Sequence, residues 1–286
     1  MVEWERREKA YAKINLGLNI LRRREDGYHE IESVFQQIDL CDAIRISPIS
    51  HGIEIICSHP DVPCDASNIC HKAVRLLQAQ TGRNEGIRIE LNKKIPVGAG
   101  LGGGSSDAAA VLKALNQQWD LGLAQDALRS LARQLGADVP FFLSGRTMFA
   151  QGIGDILSPV NLMLDFIILI VFPKFSVSTV WAYKNYKINL TNSKKNITLA
   201  DLFLADLDLL DLTNYLKNDL EQVVFERHPQ LNSIKSKLYA MGAFYASMSG
   251  SGSSVFGLFF PDISFSEDVE ALFGFDCDVF ISKPLK

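Results

Sequence analysis

The run Gly98-Ala-Gly-Leu-Gly-Gly-Gly-Ser-Ser-Asp107 holds the residue types of an anion cradle, and the apolar helical pattern Ala108, Val111, Leu112 and Leu115 follows it at once. Glycine lets backbone N–H groups approach an anion closely, and a helix N-terminus adds partial positive charge. Phosphate is the anion this arrangement suits. Ser105, Ser106 and Asp107 are equally good N-cap types, so cap and ligand both stay open for them. The run is not a Walker loop, because no lysine closes it and no GxxxxGK[ST] occurs. Nor is it a dinucleotide fingerprint: no βαβ opening precedes it, and no acidic residue ends a second strand at the required spacing.

Three more places carry chemistry-bearing side chains among apolar neighbours. Lys13 lies in Ala10-Tyr-Ala-Lys-Ile-Asn-Leu16, where it shares a strand face with Asn15 while Ala12, Ile14 and Leu16 take the other. Taken alone, a strand lysine faces solvent. Asp138 stands between a helix end and Pro140-Phe-Phe, the setting of a turn carboxylate. Ser249-Gly-Ser-Gly-Ser253 is a second small-residue loop, which alone reads as a hairpin turn.

The elements that must position these residues are mixed. Strand patterns cover Ala10 to Leu21, Ala43 to Ser47, Gly52 to Cys57, Gly86 to Leu91, Arg146 to Gln151 and Phe166 to Phe172. Glu30 to Leu40 starts helix-like or irregular. Helical patterns cover Ile69 to Thr81, capped by Ser67 or Asn68, then Asp107 to Trp119, and Ala124 to Leu135 closed by Gly136. Leu190 to Asn196 is polar and reads as a loop, Asp201 to Leu216 as an acidic helix, and Leu231 to Met241 as an amphipathic helix. Ala243 to Met248 and Ser254 to Phe260 form a strand pair around the serine loop. A soft domain boundary falls near Pro159.

Ala12-Lys-Ile-Asn-Leu16, then Pro96-Val-Gly-Ala-Gly-Leu-Gly-Gly-Gly-Ser-Ser-Asp-Ala-Ala-Ala110, then Met248-Ser-Gly-Ser-Gly-Ser-Ser-Val-Phe256 resemble, in order and separation, the three motifs of the GHMP small-molecule kinases. Asp26-Gly-Tyr-His29 and Leu135-Gly-Ala-Asp-Val-Pro-Phe-Phe142 resemble the branch that acts on a cytidyl-diphosphate sugar alcohol of the non-mevalonate isoprenoid route. The resemblance implies a two-domain α/β (α+β) kinase fold, 1–159 and 160–286, with the active site in the inter-domain cleft. It implies an ATP-dependent phosphorylation of the 2-hydroxyl, with Mg²⁺ on the triphosphate.

For single residues the resemblance implies the following. Asp138 takes the hydroxyl proton, and Lys13 sits beside it, holding the carboxylate ionised. Pro96, Val97, Gly98, Ala99, Gly100, Leu101, Gly102, Gly103, Gly104, Ser105 and Ser106 line the ATP site with Asn68 and Lys93. Ser106 is the candidate Mg²⁺ contact. Asn15, Tyr28, His29, Thr179 and Tyr183 meet the substrate, with Trp181 competing as the aromatic wall. The stretch Asn185 to Asp206 matches no pattern. Alternatives are a sibling kinase of mevalonate or homoserine type, and a nucleotide-binding sensor without catalysis.

Composition sets the outer bounds. The chain has 286 residues, 47% hydrophobic and 22% charged, an ordinary globular balance. A net charge of −4 gives no broad footprint for nucleic acid. The opening residues are too charged for an export signal, and no apolar run approaches a membrane span. Five cysteines without a CxxC pair suit a reducing cytoplasm. Cys57, His59, Cys64, Cys70 and His71 fit no structural zinc spacing. The expectation is a cytoplasmic monomer or weak homodimer acting on a small molecule, without a nucleic-acid or membrane partner.

Overall fold

The computed structural model of the chain describes residues 4–160, 165–187, 199, 201, 209–266 and 268–285. It divides into two compact units, each drawn from three separate stretches. One comprises Met1–Ala12, Leu40–Val97 and Gly102–Gly145; the other comprises Lys13–Asp39, Gly98–Leu101 and Arg146–Lys286. The sequence pattern suggests instead a single cut near Pro159, and the division into 1–159 and 160–286 stays a proposal about sequence order. The long strands β1 (Arg6–Arg23) and β2 (His29–Ile49) contribute residues to each unit.

In the first unit, the later half of β2 pairs antiparallel with β4 (Gly86–Asn92), Ile44 opposite Leu91 and Ile46 opposite Ile89. Parallel to β4 runs β3 (Ile53–Cys57). Helices α1 (Ile69–Thr81), α2 (Gly103–Gln118), α3 (Gln125–Leu135) and α4 (Val139–Ser144) belong to the same unit. The first three or more turns of α2 bury Ala108, Ala109, Ala110, Val111, Leu112, Ala114 and Leu115. Alanine on several faces lets α1, α3 and α4 all pack closely around it.

In the second unit, the earlier half of β2 pairs with β5 (Thr147–Gln151), which pairs with β6 (Ile156–Pro159). A separate antiparallel sheet has the order β10-β7-β9-β8, built from β7 (Ile167–Phe172), β8 (Tyr245–Met248), β9 (Val255–Phe259) and β10 (Asp278–Ser282). Its core joins Leu169, Val171 and Phe259 to Leu231, Ile234 and Leu238 of helix Pro229–Ala240, and to Leu18, Ile20 and Ile31 from β1 and β2.

Several elements differ from the pattern. Glu30 to Leu40 is strand, not helix: Ile31 through Gln36 are all buried, so the period-two signal of a half-exposed strand is lost. Helix α2 begins four residues before Asp107, absorbing Gly103 to Ser106, because Gly102 at φ +72° starts it without a side-chain cap. Ser105, Ser106 and Asp107 are therefore not N-caps. Asp138 precedes a short helix that the pattern does not show. Leu190 to Asn196 lies outside the described residues, as does most of the patternless stretch. Of the expected helix from Asp201 to Leu216, Leu209–Thr213 and Asp201 itself are helical, and 202–208 lie outside the description.

Candidate active site

Lys13 is buried, 4% exposed, which overturns the solvent-facing alternative. Neighbouring Ala12, Ile14 and Leu16 are fully buried on the other face, so both faces of β1 are covered here. The ammonium donates to Asn15 Oδ1 and lies 4.9 Å from the centroid of the Phe35 ring. Asn15 is itself fixed, its Nδ2 donating to Ser33 Oγ at 2.8 Å. Ser33 passes on to the Gly17 carbonyl at 2.6 Å. No sequence signal singles out Ser33, because a lone serine in a strand is common.

The other two motifs reach the same place within this unit. Lys13 N–H donates to the Leu101 carbonyl at 3.0 Å, and Ser254 N–H to the Ala99 carbonyl at 3.1 Å. Ser249 Oγ donates to the Gly100 carbonyl at 2.9 Å and accepts from Asn15 N–H at 3.3 Å. With the carbonyls of Ala99, Gly100 and Leu101 taken by protein donors, planar trans peptides turn the next three N–H groups the opposite way. Gly98 and Gly100 have φ of +68° and +79°, and such alternation curls successive N–H groups into a concave anion nest. Space enforces glycine as firmly as φ does. A side chain on Gly100 would collide with the Ser249 carbonyl, and one on Gly98 would lie 2.7 Å from Ser176 Cβ. Gly250 is less tightly set: a Cβ there would come 3.3 Å from Asn15 Oδ1 and 3.7 Å from Lys13 Nζ.

In the first unit, helix α2 opens with Gly103, Gly104 and Ser105, whose N–H groups have no intrahelical acceptor. Ser106 N–H is already spent on the Gly102 carbonyl at 2.9 Å. Ala99 and Leu101 are buried, Pro96 and Val97 half-buried, and Gly98 and Gly104 exposed, so any contact made by the first two is through backbone. Asn68 is the α1 N-cap, its Oδ1 accepting from Cys70 N–H at 2.8 Å and its Nδ2 donating to the Pro63 carbonyl. Its amide is thus engaged in local structure. Lys93 is not a solvated lysine either. Its ammonium bridges two buried carboxylates, Asp42 and Asp107. Asp42, which the sequence reading missed, also accepts from Lys94 and Ile95 N–H at 2.6 and 2.8 Å.

This triad is unevenly satisfied. Asp107 Oδ1 is buried without a hydrogen-bond partner. Burial, reinforced by Asp42 and opposed by Lys93, pushes the Asp107 carboxyl up to about 7. Burial works against the Lys93 ammonium, but Asp107 and Asp42 more than offset it and its pKa is raised. Asp138 is half-buried at the N-terminal boundary of α4, with no side-chain cap bond to that helix.

On the substrate side, the His29 and Tyr183 rings face each other with centroids 5.3 Å apart and an interplanar angle of 31°. Burial and then the nearby Arg23 lower the His29 pKa, which favours its neutral imidazole. Tyr28 is 61% exposed, its N–H held by Asp26 Oδ1. Thr179, the first residue of α5 (Thr179–Asn185), shares a hydrogen bond with Ser251 Oγ at 2.8 Å. Trp181 lies under the Arg227 guanidinium, 4.4 Å from its ring centroid, and packs on the core. Tyr183 packs on the same core, so the two rings differ in their further neighbours, Arg227 for Trp181 and His29 for Tyr183.

Comparison with known proteins follows the same lines. The family model of the GHMP kinases N terminal domain matches residues 68–146, and that of the GHMP kinases C terminal domain matches residues 199–273. The chain is 46% identical over 255 residues to a 4-diphosphocytidyl-2-C-methyl-D-erythritol kinase from Chlorobium phaeobacteroides (strain BS1), covering 88% of each. A crystal structure of 4-(cytidine 5'-diphospho)-2C-methyl-D-erythritol kinase superposes with TM-score 0.77 at 34% identity, over 97% of this chain and 99% of that one. A homoserine kinase from Cytophaga hutchinsonii superposes with TM-score 0.67 at 20% identity, over 96% and 94%, which is a likeness of fold.

Proposed function

The chain belongs to the 4-diphosphocytidyl-2-C-methyl-D-erythritol kinases within the GHMP kinases, and on that premise we propose how its residues divide the work. The enzyme moves the γ-phosphoryl group of ATP to the 2-hydroxyl of 4-diphosphocytidyl-2-C-methyl-D-erythritol, giving the 2-phosphate and ADP, in the non-mevalonate route to isopentenyl diphosphate. The substrate oxygen forms its bond to Pγ, the bond from Pγ to the β,γ-bridging oxygen breaks, and ADP leaves. The observation that carries the assignment of roles is the meeting of Gly100, Ser249 and Gly250 around Lys13 and Asn15.

Phosphoryl transfer asks for positioning and charge neutralisation more than covalent chemistry. The N–H groups from Gly98 to Ser105 hold the triphosphate. Asp138 accepts the hydroxyl proton. A carboxylate is a weak base, and it suffices because the hydroxyl becomes acidic only as its bond to phosphorus forms. Lys13 supplies positive charge to the transferring group, pre-oriented by Asn15 so that no reorganisation is needed during reaction. Asn68, which caps α1, and Lys93, held between Asp42 and Asp107, line the ATP side in this reading.

Mg²⁺ takes oxygen ligands and keeps mostly phosphate and water around it, with one or two protein oxygens. Ser106, in the first turn of α2, offers one hydroxyl oxygen, the modest share required of the protein. When bound, Mg²⁺ neutralises phosphate charge. Tyr28, His29 and Tyr183 receive the cytosine, while Asn15 and Thr179 lie toward the diphosphate and erythritol. No helix among the described residues is long and apolar enough to cross a membrane. We place the enzyme in the cytoplasm as a monomer or weak homodimer.

The test is ADP release with Mg-ATP and the cytidyl substrate, with Asp138→Ala alongside. The variant retains ATP binding and loses roughly 10²–10⁴-fold in turnover. Near-wild-type turnover in Asp138→Ala would sink the base assignment.

A further inference from the structure

Asn218 belongs to none of the motifs above, and it is buried just before helix Leu220–Arg227. Its backbone neighbours are tied to β1: Leu18 N–H donates to the Lys217 carbonyl at 2.7 Å, and Asp219 N–H donates to the Leu18 carbonyl at 2.9 Å. The segment thus lies in a parallel bridge to the strand that carries Lys13 and Asn15. The side chain is used at both ends. Nδ2 donates to the carbonyls of Met248 and Gly250, each at 2.7 Å, and Oδ1 accepts from Leu220 N–H at 3.0 Å.

One amide nitrogen therefore grips the two carbonyls that flank Ser249. Ser249 in turn joins Asn15 N–H to the Gly100 carbonyl. We propose that Asn218 is a positioning residue for phosphoryl transfer, clamping the peptide around Ser249 so that Ser249 holds the glycine loop in register with the Lys13 strand. The proposal rests on the kinase reading above. An acceptor for Leu220 N–H would be met equally by aspartate. Two donors aimed at two buried carbonyls are met only by the amide, because aspartate would set a carboxylate oxygen against both. The demand for asparagine comes from the loop, not from the helix start.

Asn218→Asp separates these two demands at constant size. Turnover falls roughly 10- to 100-fold, the cost of a small misplacement at the reacting centre. KM for the cytidyl substrate stays within about twofold, since the rings that receive the base are untouched. Ser249→Ala lowers turnover in the same way. The double variant is no slower than the slower single, because both break one chain of contacts. Folding of each protein is checked by its melting curve. If Asn218→Asp does not fold, Asn218→Ser, with one donor for two carbonyls, enters the same cycle and loses less. Losses that multiply in the double variant, or a lowered Tm with unchanged kcat, would overturn the proposal. Wild-type protein that binds ATP but leaves the cytidyl substrate unphosphorylated would instead sink the kinase reading. The cycle read on ATP affinity then decides the clamp by the same rule of non-multiplying losses.

Discussion

Tyr28, Tyr183 and Trp181 are three aromatic side chains within reach of one argument, and their surroundings separate them. Trp181 is committed to Arg227 and the core. Tyr183 packs on that core with one edge while its ring meets His29. Tyr28 is exposed, with only its backbone pinned by Asp26. In the proposed reading the exposed Tyr28 ring stacks on the base, while His29 and Tyr183, already in contact, offer their outer edges. Stacking of a base on an aromatic is worth about 1–3 kcal/mol. Tyr28→Ala is thus expected to raise KM for the cytidyl substrate roughly tenfold at unchanged kcat, as loss of uniform binding does. Its Tm should match the wild type. Tyr183→Ala should raise KM and also lower Tm, because it removes a core contact. Steady-state kinetics and melting curves on the two variants check this. A kcat loss in Tyr28→Ala would mean that the ring orients the reacting hydroxyl and does not merely bind the base.

Helix α2 shows what an element adds to the residues it carries. Its first turn presents free N–H groups, and its Asp107 locks onto Lys93, which also bridges to Asp42 on β2. Two carboxylates share one ammonium, and Asp107 has fewer donors than Asp42, so Asp107 keeps a proton up to about pH 7. The unfolded chain gives up that proton near pH 4. Between those values the native state binds more protons than the unfolded one, so this group makes stability fall as pH rises across the window. Asp107→Asn removes that slope. In urea melts its stability relative to wild type should grow from about pH 4 to about pH 7, and parallel pH profiles would refute the assignment. None of this is legible in sequence. Asp42 is 51 residues from Lys93, and a lysine between a strand and the glycine loop gives no sign of burial. The glycine loop stands out by residue type, whereas Lys13 and the serine loop, which alone read as a solvent-facing lysine and a hairpin turn, stand out only beside it as the family's three motifs in order. The run Ile31 to Gln36 misled because a strand covered on both faces carries no alternation. The start of α2 misled because glycine, a poor helix former, occupies its first two positions.

At the scale of the whole chain, sequence order and compactness diverge. The chain passes between its two units five times, at Ala12/Lys13, Asp39/Leu40, Val97/Gly98, Leu101/Gly102 and Gly145/Arg146. The motif that carries Lys13 belongs by contact with residues more than two hundred positions later. Tyr245 OH donates to the Leu16 carbonyl at 2.6 Å, and Leu18, Ile20 and Ile31 fill the core of the sheet built from β7 to β10. Burying each such aliphatic side chain contributes about 1.5–3 kcal/mol. Three of them amount to roughly 5–9 kcal/mol, the size of a whole domain's net stability. A fragment of residues 160–286 is therefore expected to fail to fold by itself, although it holds all four strands of that sheet. Hydrogen exchange and near-ultraviolet circular dichroism on the purified fragment check this. Slow exchange with a cooperative melt would show that the sheet and its helices suffice, and that β1 joins a core already formed. Loss of structure restored by adding residues 1–159 in trans would show that the Lys13 strand is part of the core it serves. In that case Lys13, to which we assign the charge-neutralising role, is placed by the same burial that folds the later half of the chain, and substitutions at Leu18 or Ile20 should lower turnover and stability together.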